Sequence, residues 1–164
     1  MRKTFAPLDD MLIERLFQPA SDLMSHRLGF GRAAAACFCI DVASLSWIVS
    51  RAWGLSDAVA AWDAATAFLD MATLLLGLIA LISLRTLFRR ASSKQANPLR
   101  QVMRPHRAIV LLMLAARLAQ FRSPAPADLA DLAMLVCAAF ALYLGACAER
   151  PPLRRGWASL APAT

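Results

Sequence analysis

Apolar runs alternate with polar segments along the 164 residues of this chain, and four such runs lie at about 33–50, 58–84, 108–121 and 129–148. They predict membrane spans at about 33–53, 60–84, 106–123 and 129–148. A helix needs about 20 residues to cross a bilayer core of about 30 Å. The third run is short, so it reaches this length only if Arg107 and Arg122 extend their side chains toward the two surfaces. The pattern predicts an all-α, polytopic membrane protein with four antiparallel transmembrane helices.

The lysines and arginines outside the runs support this topology. Five precede the first run, Arg51 follows it, seven lie between the second and third runs, Arg122 follows the third run, and three lie in the tail. Cytoplasmic segments of membrane proteins carry the excess of basic residues. The alternation therefore predicts that both termini and the central link are cytoplasmic. Three spans would put either the link or the tail on the opposite side.

The segments outside the runs have their own patterns. The leader, residues 1–32, contains Asp9, Asp10 and Glu14 and no apolar core before residue 33, so it is not a secretory signal. Its stretch "PLDDMLIERLF" predicts a short amphipathic helix that ends at Pro19. This helix would lie on the cytoplasmic leaflet or dock a partner, or it would be a solvated leader. Residues 149–164 are proline-rich and aperiodic, which predicts a disordered cytoplasmic tail.

Composition agrees with a membrane protein. The chain is 59% hydrophobic, whereas soluble domains are nearer to about 45–50% apolar. The net charge of +7 comes from residues that flank the runs and form no continuous basic face, which argues against nucleic-acid binding. All the cysteines lie in apolar runs and are interpreted as small apolar side chains: Cys37, Cys39, Cys137 and Cys147. The less favoured alternative is a soft-metal site formed by Cys37, Cys39 and Cys147.

Three ionisable residues lie deep in apolar runs: Asp41, Asp70 and Arg117. Such residues are costly in a bilayer and usually face the bundle interior with a partner. At about 1.5 Å per residue, Asp41 is about 14 Å beyond Arg32, and Arg117 is about 15 Å beyond Arg107. The matching depths predict that Asp41 and Arg117 pair. Asp70 is expected nearer the middle of the membrane or slightly outward.

Two further groups of residues are predicted to make contacts. Small and polar residues at helical spacing predict a face for close helix packing, made by Thr66, Thr73, Gly77, Ala138, Ala141 and Gly145. Basic residues of the central link and its flanks are predicted to contact anionic lipid headgroups, and these are Arg85, Arg89, Arg90, Lys94, Arg104 and Arg107.

The sequence favours a non-enzymatic protein. The apolar runs leave no room for a soluble catalytic domain, the common hydrolase and nucleotide-binding motifs are missing, and His26 and His106 lie outside the runs. We therefore expect no cofactor. The leading expectation is a scaffold, assembly or accessory subunit of a larger complex in the bacterial inner membrane, in contact with lipids and with other membrane subunits or itself.

The alternative is a small ion- or proton-coupled carrier or channel, which could be homo-oligomeric, with Asp41, Asp70 and Arg117 along a polar path. Carriers usually show internal repeats or helices broken within the membrane. Here no proline interrupts a run, and Gly77 is the only glycine near the middle of one. The charged residues are therefore expected to be structural ion pairs first and a transport path second.

Overall fold

The computed structural model describes residues 2–29, 31–91, 99–120 and 125–148, with side chains for 6–25, 31–90, 99–120 and 125–148. These residues form helices and no strand, so the predicted all-α class is confirmed for this part of the chain. The helices are α1 (Arg2–Leu12), a π-helical turn (Ile13–Phe17), α2 (Gln18–Leu28), α3 (Arg32–Ala60), α4 (Ala64–Ala91), α5 (Leu99–Val102), α6 (Arg104–Gln120) and α7 (Pro126–Ala146). Lys94 and the tail 149–164 lie outside the described residues.

Three of these helices are long and apolar enough to cross a membrane: α3, α4 up to residue 90, and α7. The helix α6 covers the third apolar run with 17 residues, and it is not among the three. The fold is thus that of an all-helical membrane protein with three candidate spans. The helix α4 continues past the predicted limit at residue 84, so the arginines at 85, 89 and 90 lie on the helix and not on a link.

The leader is helical throughout α1, the π-helical turn and α2. Pro19 does not end the first helix, which corrects the sequence-based expectation. Proline lacks an N–H and disturbs a regular α-helix. Just before it, however, the backbone N–H of Gln18 bonds to the carbonyl of Ile13, five residues earlier, and so widens the turn. The helix α2 ends at Leu28 and is followed by Gly29, whose positive φ of 66° suits glycine.

The long helices lie in a row in which α3 packs against both α4 and α7, and α6 packs against α7. The side chain of Arg32, at the start of α3, donates a hydrogen bond to the carbonyl of Cys147, directly after α7. Small residues on both helices are completely buried, among them Ala36 and Ala43 of α3 and Ala141 of α7. Their small volume allows the two backbones to approach closely.

Two glycines of the predicted packing face receive large side chains of neighbouring helices. A Cβ on Gly77 would lie 2.2 Å from Nε1 of Trp47, and a Cβ on Gly145 would lie 2.6 Å from Cε1 of Phe88. Glycine is therefore required at both positions by the close approach of an aromatic ring.

The other members of the predicted face divide into two pairs. Ala138 and Ala141 are buried in the bundle. Thr66 and Thr73 are exposed, and their hydroxyl groups bond within α4 or at its start, to the Asp63 carboxylate and the Asp70 carbonyl respectively. These threonines do not take part in helix packing, because α4 packs mainly against α3 and they lie to the side of that contact.

We predict that Gly77→Ala lowers the free energy of unfolding by about 1–3 kcal/mol, although alanine is the better helix former. The added methyl group would overlap the Trp47 ring, whose N–H points to the Leu74 carbonyl at 3.4 Å. Denaturation of the purified protein in detergent measures the change. Thr73→Val, on the exposed side of the same helix, is the control and should be near neutral. A Gly77→Ala protein as stable as the parent would contradict the tight contact.

Candidate functional site

The first site is a buried ion pair between the leader and α6. Nε of Arg107 donates a hydrogen bond to Oδ1 of Asp9 at 2.8 Å, and its Nη2 donates one to Oδ2 at 2.6 Å. Both side chains are completely buried. The same Nη2 also donates to the backbone carbonyl of Arg100 at 2.7 Å. A buried charge is tolerated when it is paired in this bidentate way.

Aromatic rings of the leader and α7 surround this pair. The guanidinium carbon of Arg107 lies 5.6 Å from the centre of the Tyr143 ring. The ring of Phe17 stacks on that of Tyr143, with centroids 4.7 Å apart, and meets Phe140 edge-on at 5.4 Å. The leader, α6 and α7 therefore pack together at one buried site, where aromatic rings surround the ion pair.

The pKa of Asp9 is lowered despite its burial. Burial by itself raises the pKa of a carboxyl group, but the hydrogen bonds and the positive charge of Arg107 outweigh it, with a further hydrogen bond from Arg104. Asp9 is consequently a carboxylate in the folded protein. It neutralises a charge that would otherwise be isolated in the bundle.

More exposed ion pairs extend this site to the surface. Arg100 donates to Asp10 at 3.1 Å and to Glu14 at 2.8 Å, and Arg104 donates to Asp10 at 3.0 Å. We call this group the leader cluster: Asp9, Asp10, Glu14, Arg100, Arg104 and Arg107. The leader is thus neither solvated nor confined to the lipid surface, because it packs against α6 and α7 of its own chain.

The leader cluster corrects part of the predicted lipid-headgroup set. Arg107 cannot reach a headgroup, since it is fully buried against Asp9, and Arg104 binds Asp9 and Asp10. Arg85 binds Asp41 of α3. These three arginines therefore have carboxylate partners within the chain itself. Arg89 and Arg90 are exposed at the end of α4, so a headgroup contact stays a prediction for them.

The second site connects the four long helices through Asp131 and Arg51. Asp131 of α7 accepts a hydrogen bond from Nη2 of Arg117 on α6 at 2.8 Å and lies 3.3 Å from Nη2 of Arg51 on α3. The hydroxyl group of Ser50 also donates to Asp131. Arg51 in turn reaches Asp70 of α4 at 3.4 Å. We call this group the four-helix cluster: Ser50, Arg51, Asp70, Arg117 and Asp131.

The predicted pair between Asp41 and Arg117 is wrong. Asp41 pairs with Arg85 on α4, with an Nη2–Oδ2 distance of 3.0 Å, and Arg117 pairs with Asp131. The helix α7 lies between α3 and α6, so equal depth on those two helices does not make their residues neighbours. Asp70 and Arg117 do belong to the same cluster, whereas Asp41 does not.

Two charged members of the four-helix cluster, as well as Ser50, were not singled out from the sequence. Arg51 was assigned to the link after the first run, although α3 continues to Ala60. Asp131 lies within the fourth run, and it carries the same signal as Asp41: a lone carboxylate among apolar residues. That signal would have identified Asp131. It would not have shown that two arginines approach this carboxylate, because their approach depends on which helices are neighbours.

None of the side chains of Cys37, Cys39, Cys137 and Cys147 forms a disulfide with another described residue. Within residues 2–29, 31–91, 99–120 and 125–148, there is no group of three or more His, Cys, Asp or Glu side chains that could hold a metal ion.

Comparisons with protein-family models, with curated proteins and with solved structures gave no match to this chain. Its class is therefore defined by the fold itself, an all-helical protein with helices of membrane-spanning length. Its two charged clusters are the sites from which a function is argued.

Proposed function

We propose that the chain is a non-enzymatic scaffold or accessory subunit of a larger complex in the bacterial inner membrane. The observation that carries the proposal is that the charged side chains of the long helices pair with one another. Asp41 pairs with Arg85. In the four-helix cluster, Arg51 pairs with Asp70 and Arg117 pairs with Asp131. Paired charges of this kind fix which helices meet and in which register, as a rigid assembly surface requires.

We further propose four spans, with α6 as the third in chain order. Arg107 near the start of α6 belongs to the leader cluster, and Arg117 near its end belongs to the four-helix cluster. These residues are about 15 Å apart along the helix, about half of a hydrocarbon core of about 30 Å, so residues beyond Arg117 would have to complete the span. Contacts of Arg32 and Phe88 with the end of α7 support an antiparallel arrangement, because they bring the start of α3 and the end of α4 to the same end of the bundle. The number of basic residues at this end supports a cytoplasmic position for both termini.

The proposed topology predicts the sidedness of cysteine labelling. In a variant without native cysteines, Asp57→Cys near the end of α3 should react with a membrane-impermeant maleimide in intact cells. Gln101→Cys in α5 should react only after the cells are opened, because the central link is cytoplasmic. Both side chains are exposed, so accessibility within the protein is matched. Labelling of Gln101→Cys in intact cells would show that the orientation is the reverse of the one proposed.

A carrier or channel is the second candidate, and the four-helix cluster is the observation that favours it. Arg51 lies between two carboxylates on different helices, Asp70 at 3.4 Å and Asp131 at 3.3 Å, and these long distances leave room for a change of partner. A proton or cation that displaced one of these contacts would be coupled to the packing of α3 against α4 and α7.

Two measurements separate these candidates. For a scaffold, gentle detergent extraction should give a particle that contains a second protein in fixed ratio, and purified chain in liposomes should pass no more ions or protons than empty liposomes. For a carrier, the liposomes should show a flux that Asp70→Asn abolishes, while Asp57→Asn, outside the cluster, leaves it unchanged. Such a flux would overturn the scaffold proposal.

A further inference from the structure

An apolar groove of about 520 Å³ lies between the leader and the helices α3 and α7. All the residues that line it are apolar. The side chains that shape it come from the three elements in turn: Leu16 and Met24 from the leader, Ala35 and Phe38 from α3, and Phe140 and Leu144 from α7. The groove is distinct from both charged clusters, although Phe17 forms part of its wall and also stacks on Tyr143.

The position of the groove along the helices places it at the level of lipid chains. Phe38 lies about 9 Å along α3 from Arg32, and Phe140 and Leu144 lie in the last two turns of α7. Both helices are candidate spans. A site so close to their ends is just inside the hydrocarbon layer of the leaflet that carries the leader.

Large apolar side chains at the groove are open to the surroundings. Leu16 is 59% exposed, Phe38 67% and Phe140 49%. Along α3 this surface continues into the exposed Leu45 and Val49, one side of a helix of membrane-spanning length. The groove is thus an extension of a lipid-facing surface, and lipid is what lies beside it.

The leader carries a positive charge next to Leu16, one of the residues that line the groove. Arg15 directly precedes the rim residue Leu16, is exposed, and forms no ion pair with the described residues, unlike the arginines of the leader cluster. A cation at this level attracts the phosphate of an anionic headgroup. We propose that the groove binds one acyl chain of an anionic phospholipid, whose phosphate lies at Arg15.

A narrow apolar groove suits an unbranched chain. An acyl chain is flexible and lacks polar atoms along its length, so it can fill the irregular volume and restore the dispersion contacts that empty space would lose. A bound chain would also contact the leader, α3 and α7 at once. The lipid would therefore help to hold the leader against the bundle, beside the ion pair of Asp9.

Site-specific photo-crosslinking tests the proposal. Phe140 is replaced by p-benzoylphenylalanine in the full chain, which is placed in nanodiscs of phosphatidylethanolamine with phosphatidylglycerol as the minor lipid. After irradiation, mass spectrometry identifies the lipid joined to the protein. Leu112, which is exposed on α6 away from the groove, is the matched control position.

We expect phosphatidylglycerol adducts at position 140 to be enriched about fivefold over its share of the nanodisc, the factor that one arginine at the surface contributes. Position 112 should report the bulk composition. Ala20→Phe, an exposed position on the groove side of the leader, should lower the yield of lipid adduct at position 140 by filling the groove. Arg15→Gln should keep the adducts and remove the enrichment.

Three results would overturn the proposal. The first is a lipid composition at position 140 equal to that at position 112, which would indicate lipid in passing contact only. The second is crosslinking to a second copy of the chain in place of lipid. The third is an enrichment that Arg15→Gln leaves unchanged. None of these bears on the flux and particle measurements above, so the scaffold proposal is tested separately.

Discussion

Replacement of Arg107 by methionine should lower the free energy of unfolding by about 3–5 kcal/mol, the cost of leaving one partner of a buried ion pair alone. Asp9 would keep its place among Phe17, Tyr143 and α6 with no bidentate partner. It would have to take up a proton or leave the bundle with the leader. Chemical denaturation in detergent measures the loss, and hydrogen exchange of the leader amides shows whether the leader detaches.

The control for this variant is Arg104→Met. Arg104 belongs to the same cluster, but about a third of its side chain is exposed, so its loss should cost less than about 1 kcal/mol. The double variant Asp9→Leu with Arg107→Met removes both charges and should recover most of the stability. Equal losses for Arg107→Met and Arg104→Met would show that the buried pair does not hold the leader.

The pH dependence of the leader contact follows from the lowered pKa of Asp9. A carboxyl group whose pKa is lower in the folded state stabilises the fold fully above its unfolded value of 3.8, and this stabilisation is lost as the pH falls through the folded pKa. We therefore expect the protection of the leader amides from hydrogen exchange to be constant from neutral pH down to about pH 4 and to decrease at lower pH. A loss of protection between pH 7 and 5 would contradict this origin.

Replacement of Asp131 by alanine should be the second severe change, with a loss of about 3 kcal/mol in the free energy of unfolding. Two arginines share this carboxylate, and it is largely buried. Without it, Arg51 and Arg117 would remain side by side with like charges. The expected loss stays at the lower end of the range for buried pairs, because Arg117 is 45% exposed and Asp70 still faces Arg51.

Asp128→Ala is the matched control for Asp131→Ala. It removes a carboxylate one turn earlier on α7, which lies 3.8 Å from Arg117 and is about half exposed. Its loss should cost less than about 1 kcal/mol. Disulfide crosslinking between α6 and α7 near these positions would show whether α6 separates from the bundle in the Asp131 variant. Similar losses for the two variants would contradict a central role for Asp131.

The partners of the arginines in the central link were not predicted from the sequence. The count of basic residues predicted one cytoplasmic link, and anionic lipid was the expected partner for all of its basic residues except Arg100. The structure instead places Asp10 and Glu14 of the leader opposite Arg100 and Arg104. A search for complementary spacings, with acids on one helix face and arginines on another, would have suggested this contact. It would not have shown that Arg107 is buried.

The sequence by itself determined that the chain is helical, where its apolar helices lie, and that glycine at 77 and 145 marks close packing. These properties depend on the spacing and volume of residues near one another in the chain. Only the tertiary structure decided the partners of Asp41, Arg117 and Asp131. Every such pair joins different helices, and since α7 separates α6 from α3, the order of helices in space sets which charges can meet. The depth of a residue along its helix does not indicate which helices are its neighbours.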